Sequence, residues 1–296
     1  MSAAAAGAWA KARTFHHSQF PAERIAAERR QTISVCLPAR ECARTVGPIV
    51  GELVALRDAG VLDEIVLVDA ASADGTAALA ERAGARVLQE GELMSHFGPV
   101  LGKGDAMWRA LSVLEGELVC FLDADTERFS RHFATGLLGP LVCEPGVSFA
   151  KAFYRRPLAH AAEPPGEGGG RVNHLTARPA LALFYPELEG FRQPLAGEVA
   201  ARRELLEGLP FVTGYGVEVA MLIDAWRTVG LEGMAQVDLD EHHNPHQPLS
   251  ALTGMARTVL GTVARRLEQE GRLEGPGERT AEEPVERPAL VSLRDS

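Results

Sequence analysis

The chain has 296 residues, 46% of them hydrophobic, and a formal net charge of -10. That length and apolar content can bury a sizeable core and exclude whole-chain disorder, while the acidic balance argues against bulk attraction to nucleic acid or anionic lipid. Four cysteines, Cys36, Cys42, Cys120 and Cys143, lie far apart with no CxxC spacing, which suggests reduced, packed thiols rather than a zinc site. With no basic leader and no apolar stretch long enough for an anchor, a cytoplasmic protein without a membrane partner is expected.

Residues 1–30 read as an N-terminal arm, alanine-rich and then charged, in which Arg13-Thr14-Phe15-His16-His17 stands out. From 31 to 150 the pattern alternates. Strands are expected over 33–39, 64–72, 86–89 and 118–122, and helices over 46–57, 74–83 and 103–114. Such alternation predicts an α/β domain with a mostly parallel sheet covered on both faces, and ligands bind such sheets at the carboxyl ends of the strands. Those ends carry Pro38, Ala39 and Glu41 after the first strand, Asp69 and Ser72 after the second, and Asp123, Ala124 and Asp125 after the fourth. Neither G-x-G-x-x-G nor a Walker-type phosphate loop is present, which disfavours a dehydrogenase or a P-loop NTPase.

The fourth strand is a short apolar run that ends in the pair Asp123 and Asp125. Carboxylates on a rigid strand end suit a hard divalent cation, Mg²⁺ or Mn²⁺, bridging protein to phosphate. Gly102-Lys103-Gly104 opens the preceding helix, where backbone, ammonium and helix dipole can meet one anion.

Residues 151–270 read as an acceptor-binding half. A strand over 147–157 is followed by the glycine-rich loop 163–170 and then Arg171, whose planar fork suits phosphate or carboxylate. Glu218 opens an apolar helix over 219–226, a strand is expected over 235–239, and a long helix over 249–267. Between the last two lies Glu241-His242-His243-Asn244-Pro245-His246, whose clustered imidazoles can complete a metal site begun by the aspartates. Residues 271–296, rich in Pro, Gly, Glu and Arg, are expected to be a disordered tail.

Taken in order, RTFHH, LPA, VDAASADGT, GKGDAMW, FLDADT, KAFYRRP, GGGRV, RPALALFYPEL, RQPLAGE and GYGVE resemble the glucosyl-3-phosphoglycerate synthases, retaining glycosyltransferases of the GT-A fold, from about Arg13 to about Leu260. The resemblance implies that Pro38, Ser72 and Lys103 hold the uridine diphosphate of the donor, with Ala39, Glu41, Asp69 and Ala124 on the same side. It also implies that Asp123 and Asp125 form the metal motif, Asp125 being the direct ligand. Gly170, Arg171 and Asn173 would grip a phosphoglycerate acceptor with Tyr215 nearby, and Leu195 and Glu218 would line the sugar. In such enzymes the leaving diphosphate takes the acceptor proton on the same face, and homodimers are common.

Three departures from the family pattern stand out. The first loop reads Arg40-Glu41-Cys42 where the family has an acidic residue following an Asn, so either Glu41 serves from a shifted place or that contact to the nucleotide is lost, and Asn173 stands where Thr is common. Family spacing puts Asn244 at the metal-histidine position, flanked by His243 and His246, which are taken as the candidate imidazole ligands. The expected activity is therefore transfer of glucose from UDP-glucose to 3-phosphoglycerate with Mg²⁺ or Mn²⁺. The rivals are another nucleotide sugar (UDP-N-acetylglucosamine, GDP-mannose) or phosphorylated acceptor, a nucleotidyltransferase, and a non-catalytic nucleotide-sugar binder.

Overall fold

The computed structural model describes residues 3–156, 170–243, 249–274 and 285–294. The described residues form ten strands: β1 (Thr14–His16), β2 (Ile33–Ala39), β3 (Glu64–Asp69), β4 (Arg86–Gln89), β5 (Leu118–Phe121), β6 (Phe149–Arg155), β7 (Val199–Arg202), β8 (Phe211–Val212), β9 (Met234–Glu241) and β10 (Glu286–Arg287). Eight of them make one sheet in the order β1-β9-β6-β7-β5-β2-β3-β4. All pairings in that sheet are parallel except those of β7, which runs antiparallel to both β5 and β6.

Successive strand side chains point to opposite faces, and here both faces are apolar. Val35, Leu37, Ile65, Leu67, Leu118 and Cys120 face one core, packed with the helices Val46–Asp58 and His132–Cys143. Cys36, Val66, Val68, Val119 and Phe121 face the other, packed with the helices Lys103–Leu111, Val217–Val229 and Leu249–Gln269. Burial on both sides explains why the central strands read as continuous apolar runs. No helix among the described residues is long and apolar enough to cross a membrane.

The expected boundary at 150 does not divide the sheet, because β6, β7 and β9 continue it and β7 seats directly against β5. The N-terminal arm joins it too, as edge strand β1. The disordered tail needs correction. Residues 275–284 and 295–296 lie outside the described residues, but β10 pairs antiparallel with β8. Arg287 is buried there against the carboxylate of Asp105. Leu290 is buried in the same core as Trp108, and the Pro288 carbonyl accepts from the Trp108 indole at 2.8 Å, so the segment is docked by a few residues of an otherwise solvated composition.

The end of β9 is irregular. The β6–β9 register shifts between Phe153 and Arg155, whose partners on β9 are Asp238 and Glu241. The residue that this shift inserts lies in a left-handed backbone at Asp240, φ 64°. A bulge of this kind turns the side chains after it away from simple alternation.

Candidate active site

The polar ends of β2, β3 and β5 lie side by side. After β2, the Glu41 amide donates to Ser72 Oγ (2.9 Å), and the Ala73 amide donates to the Glu41 carboxylate (2.8 Å). Glu41 and Ala71 both adopt positive φ to make this exchange. The Ser72 amide and the Gln89 side chain donate to Asp69 Oδ2 at 3.0 and 3.1 Å. Asp69 Oδ1 is buried and has no hydrogen-bond partner, so this rim presents one acceptor oxygen in need of a donor. Ala124 is held from behind, its carbonyl accepting from Thr45 Oγ1 at 2.6 Å.

Lys103 starts its helix after Gly102, whose φ of 89° only glycine adopts readily. Its Nζ donates to Asp123 Oδ1 at 2.5 Å and lies 3.4 Å from Glu218 Oε1. Burial opposes the ammonium, but Asp123 and Glu218 together hold its pKa above the usual range. Burial raises the Glu218 carboxyl despite Lys103 and Lys151 nearby. Gly197 closes this group: a Cβ there would fall inside contact distance of Asp123 Oδ2 and Lys103 Nζ. The space beside the aspartate thus exists because residue 197 has no side chain.

Behind Asp123 lies a buried polar chain. Glu198 sits 2.8 Å from His242 Nε2 and accepts from Tyr154 Oη at 2.8 Å, and Arg156 donates to that same phenol oxygen at 2.9 Å. Burial works against the Glu198 charge, yet His242 and Arg156 hold its pKa well below the usual carboxylate range. The His242 ring stacks on Tyr154 with centroids 4.5 Å apart, and its Nε2 lies 3.1 Å from Thr126 Oγ1. One ligand atom each from Asp123, Glu198 and His242 lies within 4.8 Å of the others. Glu198 Oε1 is the oxygen that meets His242 Nε2, and His242 Nδ1 is buried without a hydrogen-bond partner. Two carboxylates and an imidazole, with room left by Gly197, fit a borderline divalent cation such as Mn²⁺.

Here the structure differs from the sequence reading. His243, expected near the metal, turns to Glu241 (3.3 Å), and its carbonyl accepts from the Glu127 amide at 2.8 Å. His242 takes the position beside Glu198 instead; the bulge at Asp240 sets the side-chain directions after it, which family spacing around Asn244 does not register. Asn244 and His246 lie outside the described residues.

A cavity of about 360 Å³ joins these groups to the second half of the chain. Lys103, Asp123, Asp125, Leu195, Gly197 and Glu218 are among its lining residues, and so are Arg156, Gly170, Arg171, Asn173 and Tyr215. Asn173 is fixed there, its amide donating to the Arg192 carbonyl (3.2 Å) and its oxygen accepting from the Leu195 amide (3.3 Å). Tyr215, 58% exposed, stands at the rim. Pro38, Ala39, Glu41, Asp69, Ser72 and Ala124 are not among the residues lining this cavity and belong to the adjoining strand-end rim. Sequence reasoning missed Glu198 and His242. Glu198 ends the RQPLAGE motif, but nothing in local spacing marks a buried partner across the sheet.

Residues 34–137 match the model of Glycosyl transferase family 2. The chain is 39% identical to the glucosyl-3-phosphoglycerate synthase of Petrotoga mobilis over 88% of this chain and 82% of that protein. It is 41% identical to that of Mycolicibacterium smegmatis over 81% and 79%. Among solved structures, mannosyl-3-phosphoglycerate synthase from Rubrobacter xylanophilus superposes with a TM-score of 0.90 at 47% identity, over 97% of this chain and 98% of that one. Glucosyl-3-phosphoglycerate synthase from Mycobacterium tuberculosis, solved with Mn²⁺, UDP-glucose and phosphoglyceric acid, superposes with a TM-score of 0.83 at 36% identity, over 95% and 99%. The strand-end rim, the carboxylate and imidazole cluster and these relatives agree: the chain belongs to the glucosyl-3-phosphoglycerate synthase family of metal-dependent GT-A glycosyltransferases.

Proposed function

We propose that this chain transfers glucose from UDP-glucose to the hydroxyl of 3-phosphoglycerate, with retention at the transferred carbon. The observation that carries the reading is a single cavity lined both by Lys103, Asp123 and Glu218 and by Arg171 and Asn173. A cationic and carboxylate pole for a metal-bound diphosphate thus shares one cavity with an arginine for an anionic acceptor. The relatives named for this activity, one of them solved with both substrates, support the same reading.

In this reading residues 31–150 hold the donor and 151–270 the acceptor. Asp69 offers its unpartnered oxygen to a base N–H, while Pro38, Ala39, Glu41, Ser72 and Ala124 border the nucleotide. Asp123 and Asp125, with Glu198 and His242 behind them, would hold Mg²⁺ or Mn²⁺, which when bound supplies positive charge to the diphosphate. Lys103 adds a second positive charge at the same pole as the bond from sugar to diphosphate breaks. Gly170, Arg171, Asn173 and Tyr215 orient the acceptor, and Leu195 and Glu218 border the sugar. The acceptor hydroxyl oxygen bonds to the sugar carbon, and its proton leaves on the diphosphate. Catalysis then rests on positioning and electrostatics.

The test is a panel of nucleotide sugars against 3-phosphoglycerate and related acceptors with each metal, scored for nucleoside diphosphate release and product anomer. UDP binding without turnover of any pair would overturn the assignment. A second reading, GDP-mannose as donor, is favoured by the 47% identity to the protein solved as mannosyl-3-phosphoglycerate synthase; competition between UDP-glucose and GDP-mannose in the panel decides between them. Free cysteines suit a cytoplasmic setting, and the net charge of -10 offers no general attraction to nucleic acid. A homodimer completes the proposal: Leu175 and Leu183, 78% and 75% exposed, offer apolar surface to such a contact, and light scattering of the purified chain tests it.

A further inference from the structure

The paired histidines near the start of the chain are not used by the site above. β1 runs parallel to β9 with His16 opposite Asp238, which brings His16 and His17 to the bulge at Asp240. His16 Nε2 lies 3.2 Å from Asp240 Oδ1, and His17 Nε2 lies 2.7 Å from Oδ2. Each carboxylate oxygen therefore meets a different imidazole, and one ligand atom from each of the three residues lies within 4.8 Å of the others. For metal–ligand bonds of about 2.0–2.2 Å, donor atoms sharing an edge of a coordination polyhedron stand roughly 3.0–3.5 Å apart. The two imidazole–carboxylate spacings, 3.2 and 2.7 Å, lie close to that.

The rings are also held from behind. His16 Nδ1 accepts from the Ser18 amide at 3.3 Å and lies 2.8 Å from Ser18 Oγ; binding a metal through Nε2 moves the ring proton to Nδ1, which gives up the long amide bond and donates to Ser18 Oγ instead. An outer partner of this kind orients a ligating histidine. The His17 ring packs against His132 with centroids 4.2 Å apart, and His132 Nε2 lies 3.2 Å from the Leu239 carbonyl. The Asp240 side chain is 50% exposed, which leaves one side open for water to complete the coordination.

We propose that His16, His17 and Asp240 bind a borderline divalent transition cation, of the Zn²⁺, Co²⁺ or Ni²⁺ kind, at a site separate from the donor pole. Two imidazoles and a carboxylate favour such ions over Mg²⁺, which prefers oxygen ligands. Bound there, the ion clasps the N-terminal segment onto the bulge that aims His242 into the active site.

The test uses the full-length chain, stripped with a chelator and titrated with Co²⁺ while its visible absorption is recorded. A variant carrying Asp123→Asn and Asp125→Asn isolates the second site. The expected result is two Co²⁺ equivalents in the unsubstituted chain and one in that variant, displaced by Zn²⁺ but not by excess Mg²⁺. Adding His17→Gln or Asp240→Asn should weaken the remaining Co²⁺ by at least about tenfold, with circular dichroism reporting the fold. No Co²⁺ signal in the Asp123→Asn, Asp125→Asn chain, or equal affinity after either added substitution, overturns the proposal. Should the added substitutions unfold the chain, the folded Asp123→Asn, Asp125→Asn protein decides alone: its thermal midpoint must rise with Zn²⁺, and an unmoved midpoint overturns the site.

Discussion

Arg287→Met tests how far the end of the chain supports the donor pole. Arg287 is 9% exposed and Asp105 fully buried. Its Nε and Nη2 donate to the two Asp105 oxygens at 2.8 and 2.7 Å, and its Nη1 donates to the Phe97 carbonyl at 3.1 Å. Arg109 shares Asp105 at 3.1 Å and holds the Leu93 and Gly98 carbonyls at 2.7 Å each, while the Leu101 amide donates to Asp105 at 2.9 Å. One carboxylate and two guanidiniums thus fix the loop that leads into Lys103. Breaking a buried pair by removing one partner costs about 3–5 kcal/mol. Asp105 retains Arg109 and the Leu101 amide, and methionine still fills space beside Phe97 and Trp108, so the low end, about 3 kcal/mol, is expected. At roughly 2–4 °C per kcal/mol for a chain of this size, the thermal midpoint falls by about 6–12 °C. Calorimetry measures the midpoint, and steady-state kinetics should show the donor KM rising more than the acceptor KM. A midpoint shift under about 2 °C, or a change confined to the acceptor KM, would refute the reasoning.

Gly197→Ala puts a methyl group between Asp123 and Lys103 and should cut turnover by at least about 100-fold, the scale of a misplaced catalytic pole, with a native circular dichroism spectrum; near-normal turnover would show that the space is not used. His242→Ala should weaken Mn²⁺ by at least about tenfold, as read by Mn²⁺ titration, whereas His243→Ala, removing a ring that faces Glu241, should leave that affinity within about twofold. Lys151 is buried with its ammonium on the Ala196 carbonyl at 2.8 Å, and burial lowers its pKa to about 8. The unfolded chain, with a lysine pKa of about 10.4, then binds more protons between about pH 8 and 10.4, so stability should rise with pH across that window. Lys151→Met removes that rise and should add on the order of 2 kcal/mol at pH 7, the burial penalty less one hydrogen bond; urea unfolding at pH 7 and pH 10 checks both, and a less stable variant at pH 7 contradicts the assignment.

The donor side was legible because burial on both faces writes itself into the chain. Residues 33–39 and 86–89 form strands over the expected spans, and the polar residues that end the runs mark the ligand edge. β7 escaped notice because Val199-Ala200-Ala201-Arg202 is short and rich in alanine, and it is a strand only through its neighbours β5 and β6. With β7 unseen, Glu198 could not be placed beside Asp123. His242 was missed for a different reason. Family spacing pointed to Asn244 and its flanking histidines, and one inserted residue at Asp240 is a backbone feature that spacing does not carry. Arg287 was hidden by composition, since the few docked residues, Glu286, Arg287 and Leu290 among them, leave a charged, proline-rich tail looking solvated throughout.

These misses share a cause that bears on how the site works. β10 pairs with β8, and β8 runs directly into Tyr215 and Glu218, while Arg287 on the same short strand ties down the loop before Lys103. At the other end of the chain, His16 and His17 hold Asp240, two residues before His242. Each wall of the cavity is therefore steadied by a segment remote in sequence. The C-terminal segment carries no motif of its own, whereas the N-terminal one carries Arg13-Thr14-Phe15-His16-His17, whose two imidazoles meet Asp240. Changes near either terminus should then reach the active site through Lys103 or His242, and the two routes separate experimentally: loss of the C-terminal clasp moves the donor KM, and loss of the N-terminal one moves Mn²⁺ affinity.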